Sequence, residues 1–378
     1  MDGTVSLAGG TVLWPDGTLS RGDVHVADGR IVGTAAADAA RIDCTGLHVL
    51  PGIVDVHGDA FELELFPRPG VDMPFDIAMG SVDRQLAANG ITTAFHGLTV
   101  SWEPGARSLD AARRFMDGLA RLRPRLTADH RVQLRWETYA HEVIGDIAGW
   151  LATEPVPALA FNDHTTGTIA LAEAGEHAKF HKWAQRAGVS LKEYMARIGG
   201  IGARAAEVPA RIAEVAALGR RHGAVMLSHD ARSEAELAEF RALGATVCEF
   251  PLSRGAAAAA AAAGEPVVMG GPNVIRGGSH TGAIPAEDAV RDGLCTVLAS
   301  DYYYPSLLHA AERLVARGVL GLGDAWALVS ANPAAAMGLG DRGALAPGRR
   351  ADMVVLDTDG PWRIVRTVAG GTVLRPGR

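Results

Sequence analysis

Cysteine is scarce in this sequence. Its 378 residues include three, Cys44, Cys248 and Cys295, an odd number, far apart and without a Cys-x-x-Cys spacing. That excludes a disulfide scaffold and a thiolate zinc site, and it points to a reducing compartment. An excess of basic residues is lacking too: 36 Lys and Arg stand against 43 Asp and Glu, a formal net charge of −7. A general binder of nucleic acid or of a membrane surface needs a basic face, so neither is an expected partner. A small anion needs only a local cluster of cations and stays open as a ligand. No uninterrupted apolar stretch reaches the roughly 20 residues that span a bilayer. No basic segment leading into an apolar run is seen at the start, and the expected location is cytoplasmic. Residues 256–263 are eight alanines, but Gly264 and Glu265 follow them, and they read as a short soluble helix closed by a glycine.

What is present is ample material for a core. Apolar residues make up 48 % of the chain and charged ones 21 %, a globular balance that excludes disorder as the main state. The first 50 residues alternate in short β-like pieces with turn signals at Gly9-Gly10, Asp16-Gly17 and Asp28-Gly29. An apolar run, Val49 to His57, then ends on a polar cluster. Seven more short apolar runs follow, separated by helix-like stretches: 91–96, 132–137, 158–163, 224–229, 246–250, 266–270 and 295–300. Unbroken apolar runs are expected of parallel strands buried on both faces, and eight of them predict an α/β (β/α)8 barrel over residues 51–341. An open doubly wound sheet would more often carry a Gly-rich loop after its first strand, and none is present. From residue 342 the sequence turns β-like again, with a hairpin signal at Gly370-Gly371. Residues 1–50 and 342–378 are therefore expected to pair into one small β-domain beside the barrel. Residues 165–208 form an insertion rich in aromatic and basic side chains, among them Lys182, Trp183, Arg186 and Tyr194. A segment of that length after a strand is usually functional, and it is expected to line or cover the barrel mouth.

The strand ends carry the chemistry. The first ends in His57-Gly58-Asp59, the third in Glu137, the fourth in Asn162-Asp163-His164, the fifth in Ser228-His229-Asp230 and the eighth in Ser300-Asp301. In this barrel such ends converge on one mouth. A lone strand-end histidine is more often a hydrogen-bonded structural residue than a ligand. Five metal-type ends out of eight are hard to obtain from structure alone, because buried ionisable groups are costly unless paired or metal-bound. Imidazole and carboxylate donors suit Zn²⁺, Mn²⁺ or Fe²⁺. His57, Asp59, Glu137, His164, His229 and Asp301 are the candidate ligands of two such ions, with Glu137 as the bridge. Weaker candidates are His96 and Glu249, the latter for substrate contact or support of a ligand. Gly270-Gly271-Pro272-Asn273 followed by Arg276-Gly277-Gly278-Ser279-His280 is more distinctive. Glycines let backbone N–H groups approach an anion, and Arg276 offers a planar fork for phosphate oxygens. Arg68, on the proline-stiffened turn Pro67-Arg68-Pro69-Gly70, is placed to reach the same mouth.

This pattern resembles the amidohydrolase superfamily, whose members combine a distorted (β/α)8 barrel with a small β-sandwich made from both termini. Asn332-Pro333-Ala334 and the stretch from Gly348 to Val354 are similar to its C-terminal signature. Within it the chain resembles the diphosphatase family that acts on α-D-ribose 1-methylphosphonate 5-triphosphate in phosphonate catabolism. The matching pieces include Pro67-Arg68-Pro69-Gly70-Val71-Asp72, Leu227-Ser228-His229-Asp230, Glu249-Phe250-Pro251, Arg276-Gly277-Gly278-Ser279-His280 and Ser300-Asp301-Tyr302-Tyr303. That family commonly carries Asn and a nearby Lys after the His-x-Asp motif, where this chain has Ala60 and Phe61-Glu62-Leu63-Glu64. The resemblance implies a binuclear metal hydrolase that cleaves a phosphoanhydride of a small phosphorylated substrate and releases pyrophosphate. Asp301 would orient the attacking water and take its proton, and Arg276, His280, Arg68 and Lys182 would balance developing charge. The alternative expectation is hydrolysis of a C–N bond in a cyclic amide or N-acyl compound, and assembly into homo-oligomers stays open.

Overall fold

The computed structural model describes residues 4–175, 180–279 and 284–374. Among them the strands form two sheets of eight. The first draws on both ends of the chain: β1 (Val5–Leu13), β2 (Leu19–Ala27), β3 (Arg30–Val32), β4 (Ala40–Asp43) and β5 (His48–Pro51) from the start. The rest are β14 (Met353–Asp357), β15 (Arg363–Ala369) and β16 (Thr372–Leu374). β5 joins the two groups, pairing with β1 on one side and antiparallel with β14 on the other. Within β1, the first half pairs with β4 and the second with β5. The handover falls at Gly9-Gly10, where the register with β2 also shifts. A Cβ on Gly10 would lie 2.8 Å from a Val49 methyl, so only glycine lets the two strands approach there. This sheet closes over its own core of Val5, Leu7, Val12, Val24, Val49, Met353 and Val368.

The second sheet runs in chain order: β6 (Ile53–Gly58), β7 (Ile91–Val100), β8 (Asp129–Glu137), β9 (Ala158–Asn162), β10 (Met226–His229), β11 (Val247–Glu249), β12 (Val267–Gly270) and β13 (Val297–Ala299). Each neighbouring pair is parallel. The ring closes through backbone bonds at the mouth: the Asp301 N–H donates to the His57 carbonyl at 2.9 Å, and the Asp59 N–H donates to the Asp301 carbonyl at 2.8 Å. Alternation sets the layers. Val54, Val56, Phe95, Ala160, Leu227, Val247, Val268 and Val297 fill the interior. Ile53, Leu134, Trp136, Phe161, Met226 and Leu298 pack outward with the apolar sides of the surrounding helices.

The single run expected over Val49–His57 is two strands in two sheets. Pro51 and Gly52 divide it. A Cβ on Gly52 would meet the Thr92 hydroxyl at 2.3 Å, so the chain can turn from one sheet to the other only without a side chain at that point. Among the described residues no helix is long and apolar enough to cross a membrane.

Candidate metal centre

The inner face of β8 carries Gln133, Arg135 and Glu137, because Val132, Leu134 and Trp136 point to the outer layer. The same alternation brings His229 and Glu249 inward from β10 and β11. His57 needs more. With Val54 and Val56 inside, strict alternation would send it outward. A β-bulge between Asp55 and Gly58 returns it to the interior, a use of bulges common beside active sites. Asp230, Phe250 and Asp301 follow strand ends with φ of 56°, 52° and 56°. This left-handed backbone is costly for non-glycine residues and collects at functional sites. It turns both aspartates toward the mouth.

Two clusters result. Ligand atoms of His57, Asp59 and Asp301 lie within 4.8 Å of one another, as do those of His164, His229 and Asp230. Behind them stand two buried carboxylates. Glu249 is fully buried and accepts from His57 Nδ1–H at 3.0 Å and from His229 Nδ1–H at 2.6 Å. The Gln133 amide donates to the same carboxylate at 2.7 Å. Glu137 accepts from His164 Nδ1–H at 2.6 Å and from the Thr165 hydroxyl at 3.1 Å. With Nδ1 donating in each histidine, Nε2 is the nitrogen left to face the mouth, and a carboxylate behind the ring is the usual support of a metal-binding imidazole. This donor set of imidazole nitrogens and carboxylate oxygens fits a borderline divalent ion such as zinc or manganese.

The electrostatics favour the anionic form of the carboxylates and put a proton on His164 where an ion would sit. Burial pushes the Glu249 carboxyl up, but the attraction of His57 and its hydrogen bonds with His229 and His57 outweigh burial and hold it well below the usual range. Burial lowers the His164 imidazole, while bonds to Asp230 and Glu137 more than reverse this, to about 9. Asp230 is raised by burial and lowered more by His229 and His164, to about 2. A metal at this cluster would therefore take the place of a proton on His164.

Four expectations change. Glu249 is sealed behind the two histidines it orients and is not at the surface of the mouth. Glu137 stands behind His164 instead of bridging the clusters, because both its oxygens are engaged there. Arg68 and Lys182 line a separate cleft of about 680 Å³, with Arg107 and Arg186 between it and the ligand cavity. His96 faces the helix layer, where its Nε2 meets His130 Nδ1 at 2.8 Å and its ring packs on Phe61 and Phe115. His280 lies outside the described residues.

Arg276 is at the mouth. It lines a cavity of about 260 Å³ together with His57, His229 and Asp301, and its guanidinium is 3.3 Å from the Tyr302 hydroxyl. A second cavity of about 580 Å³ adjoins this one across His164, His229 and Asp230. Trp183, Arg186 and Tyr194 of the insertion line it. The insertion is fastened to the loop after β7: Arg186 donates to Glu103 at 2.7 Å, the Tyr194 hydroxyl donates to Glu103, and Trp102 donates to Thr165 at 2.9 Å. Sequence reasoning passed over two members of the centre, Asp230 and Arg135. Asp230 directly follows a candidate ligand, so alternation points it away until the positive φ is known. Arg135 lies two residues before Glu137, and that spacing is a signal for a shared face.

A closed parallel barrel with paired His/Asp clusters at the C-terminal ends of its strands defines a metal-dependent hydrolase of one class. The amidohydrolase family model matches residues 162–374, and the chain belongs to that family. It is 32 % identical over 343 residues to the alpha-D-ribose 1-methylphosphonate 5-triphosphate diphosphatase of Escherichia coli (strain K12), covering 88 % of this chain and 90 % of the relative. Dihydropyrimidinase from Brevibacillus agri NCHU1002 has a TM-score of 0.60 at 13 % identity, with 98 % of this chain and 95 % of that one covered. Molinate hydrolase has a TM-score of 0.64 at 13 % identity, with 99 % and 95 % covered. At such identity these two show the shared fold alone.

Proposed function

We propose that the chain hydrolyses the phosphoanhydride of a ribose 5-triphosphate carrying a phosphonate ester and releases pyrophosphate. The observation that carries this reading is the similarity to the E. coli diphosphatase along nearly the whole of both chains. The position of Arg276 at the mouth supports it.

His57, Asp59, His164, His229, Asp230 and Asp301 would hold divalent ions, which would supply Lewis acidity and make the attacking water more acidic. The protein supplies the rest. Glu249 and Glu137 keep the three imidazoles in one tautomer. The Asp301 carboxylate orients the attacking water and takes its proton. Attack falls on the phosphorus nearest the sugar, its bond to the bridging oxygen breaks, and pyrophosphate departs. Arg276 donates to the departing phosphate oxygens, and its fixed fork stabilises charge where charge grows. The larger cavity, with Trp183 and Arg186 in its wall, takes the organic half of the substrate.

One observation favours the second reading, C–N bond hydrolysis. Where the diphosphatase family commonly has Asn and Lys, this chain has Ala60 and an apolar and acidic helix, Phe61–Leu65. In it Glu62 is committed to Arg107 at 3.2 Å. The deciding assay offers the metal-loaded chain a panel of sugar and nucleoside triphosphates and cyclic amides. Pyrophosphate release from a triphosphate supports the proposal, and ring opening of a cyclic amide without pyrophosphate release overturns it.

A further inference from the structure

Arg135 occupies a position that neither the candidate ligand set nor the proposed reaction accounts for. Its side chain is 8 % exposed. Nη1 lies 3.6 Å from Asp59 Oδ2, and Nη2 lies 3.2 Å from His229 Nε2. Nε is buried without a hydrogen-bond partner. Gly97 on the neighbouring strand makes room for it: a Cβ there would come within 3.2 Å of both Arg135 Cδ and His57 Nε2. One guanidinium thus reaches a member of each cluster.

The contact with His229 is the informative one. Nδ1–H of that ring is given to Glu249, so Nε2 has a single lone pair in the ring plane. That lone pair can accept a guanidinium N–H or bind a metal, and it cannot do both. The contact with Asp59 is an ion pair beyond hydrogen-bond length, and a carboxylate has lone pairs to spare. We infer that Arg135 is a built-in competitor for the metal at the His164–His229–Asp230 cluster, which must withdraw from His229 Nε2 before an ion can enter there. The 260 Å³ cavity it lines gives it space to withdraw. The His57–Asp59–Asp301 cluster loses no lone pair to a hydrogen bond from Arg135, so it loads first and the other second. This rests on the metal-centre reading and not on which bond the enzyme cleaves.

The test uses Mn²⁺ alone and reads no turnover. The metal-free full-length chain, Arg135→Met and Arg135→Lys are compared by calorimetry, by the electron paramagnetic resonance of free and bound Mn²⁺, and by circular dichroism for folding. The wild type should bind one equivalent tightly and a second more weakly. A hydrogen bond to a charged donor corresponds to about 10- to 150-fold in affinity, so Arg135→Met should tighten the second equivalent by that factor. Arg135→Lys keeps the charge but not the planar fork that reaches Nε2, and it should also tighten the second equivalent. If the Lys variant behaves as wild type while the Met variant tightens, the effect is charge alone and the inference fails. It fails equally if neither variant changes the second equivalent, or if the wild type binds both with the same affinity. If no chain binds Mn²⁺, the metal centre itself is overturned and the inference with it.

Discussion

Glu249→Gln should weaken metal binding without unfolding the barrel. The wild-type carboxylate is fully buried and accepts three hydrogen bonds, at 3.0, 2.6 and 2.7 Å. An amide of the same shape has one accepting oxygen and one donating nitrogen. Whichever way it turns, His57 or His229 meets a donor where it needs an acceptor. That ring then either leaves Nδ1–H unpaired in the interior or changes tautomer and presents Nε2–H to the metal position. Losing the partner behind a ligand costs about 10- to 100-fold in metal affinity, or about 1.4–2.8 kcal/mol. The assay is competition for Zn²⁺ against a chromophoric chelator at fixed pH, beside circular dichroism of the metal-free chain. Wild-type Zn²⁺ affinity in a folded Glu249→Gln chain would refute the view that this carboxylate sets the tautomers.

Other outcomes follow from the same geometry. Changing His229 or Asp301 to Ala should abolish turnover in a chain that still folds, as read by activity and near-ultraviolet dichroism. Arg276→Ala should lower kcat/KM on a triphosphate about 10- to 150-fold, the worth of one or two charge-assisted bonds; metal content measured by elemental analysis should not change, and Arg276→Lys should recover little. Arg342, 6 % exposed, donates to Asp129, Asp341 and Thr93 and so ties the end of the barrel chain to β7 and β8. Arg342→Met should cost about 1–3 kcal/mol in urea unfolding, because the mostly buried Asp129 is left to its ion pair with Arg131 and the buried Thr93 hydroxyl loses its donor. Burial raises the Asp129 carboxyl, but Arg131 and Arg342 outweigh it and lower it on folding. A group lowered in this way stabilises above its unfolded value and loses that contribution as pH falls through the folded one. The unfolding midpoints of wild type and Asp129→Asn should therefore separate at neutral pH and converge below about pH 4; a gap that stays constant with pH counts against the ion pair.

Much of the barrel was legible because a strand buried on both faces leaves an unbroken apolar run, and all eight runs contain strands of the ring. The break between β5 and β6 was hidden because the residues on both sides of Pro51-Gly52 are equally apolar. Hydrophobicity does not say which sheet a residue belongs to. At the mouth, residue type and strand-end position were enough to anticipate that His57, Asp59, His164, His229 and Asp301 come together. Glu137 and Glu249 were visible as acids, but sequence does not show on which side of an imidazole a carboxylate lies. His57 and Asp230 depend on a bulge and on a positive φ, local departures from the alternation on which pattern reasoning relies. Arg68 and Lys182 were placed at the substrate end of the mouth by their charge and by following candidate ligands in sequence, and neither gives direction.

The seam of the ring falls on candidate ligands. His57, Asp59 and Asp301 are joined by the two backbone bonds that bring the last strand back to the first, across most of the length of the barrel sequence. Closing so long a loop is among the slower events open to a folding chain. During synthesis, then, the His57–Asp59–Asp301 cluster does not exist until residue 301 has emerged, and no amino-terminal fragment that stops short of that residue can assemble it. Nor can a ring that is complete in seven strands and open at the eighth. If that cluster holds an ion, the arrival of metal binding during refolding would mark the moment of closure and time the final topological step.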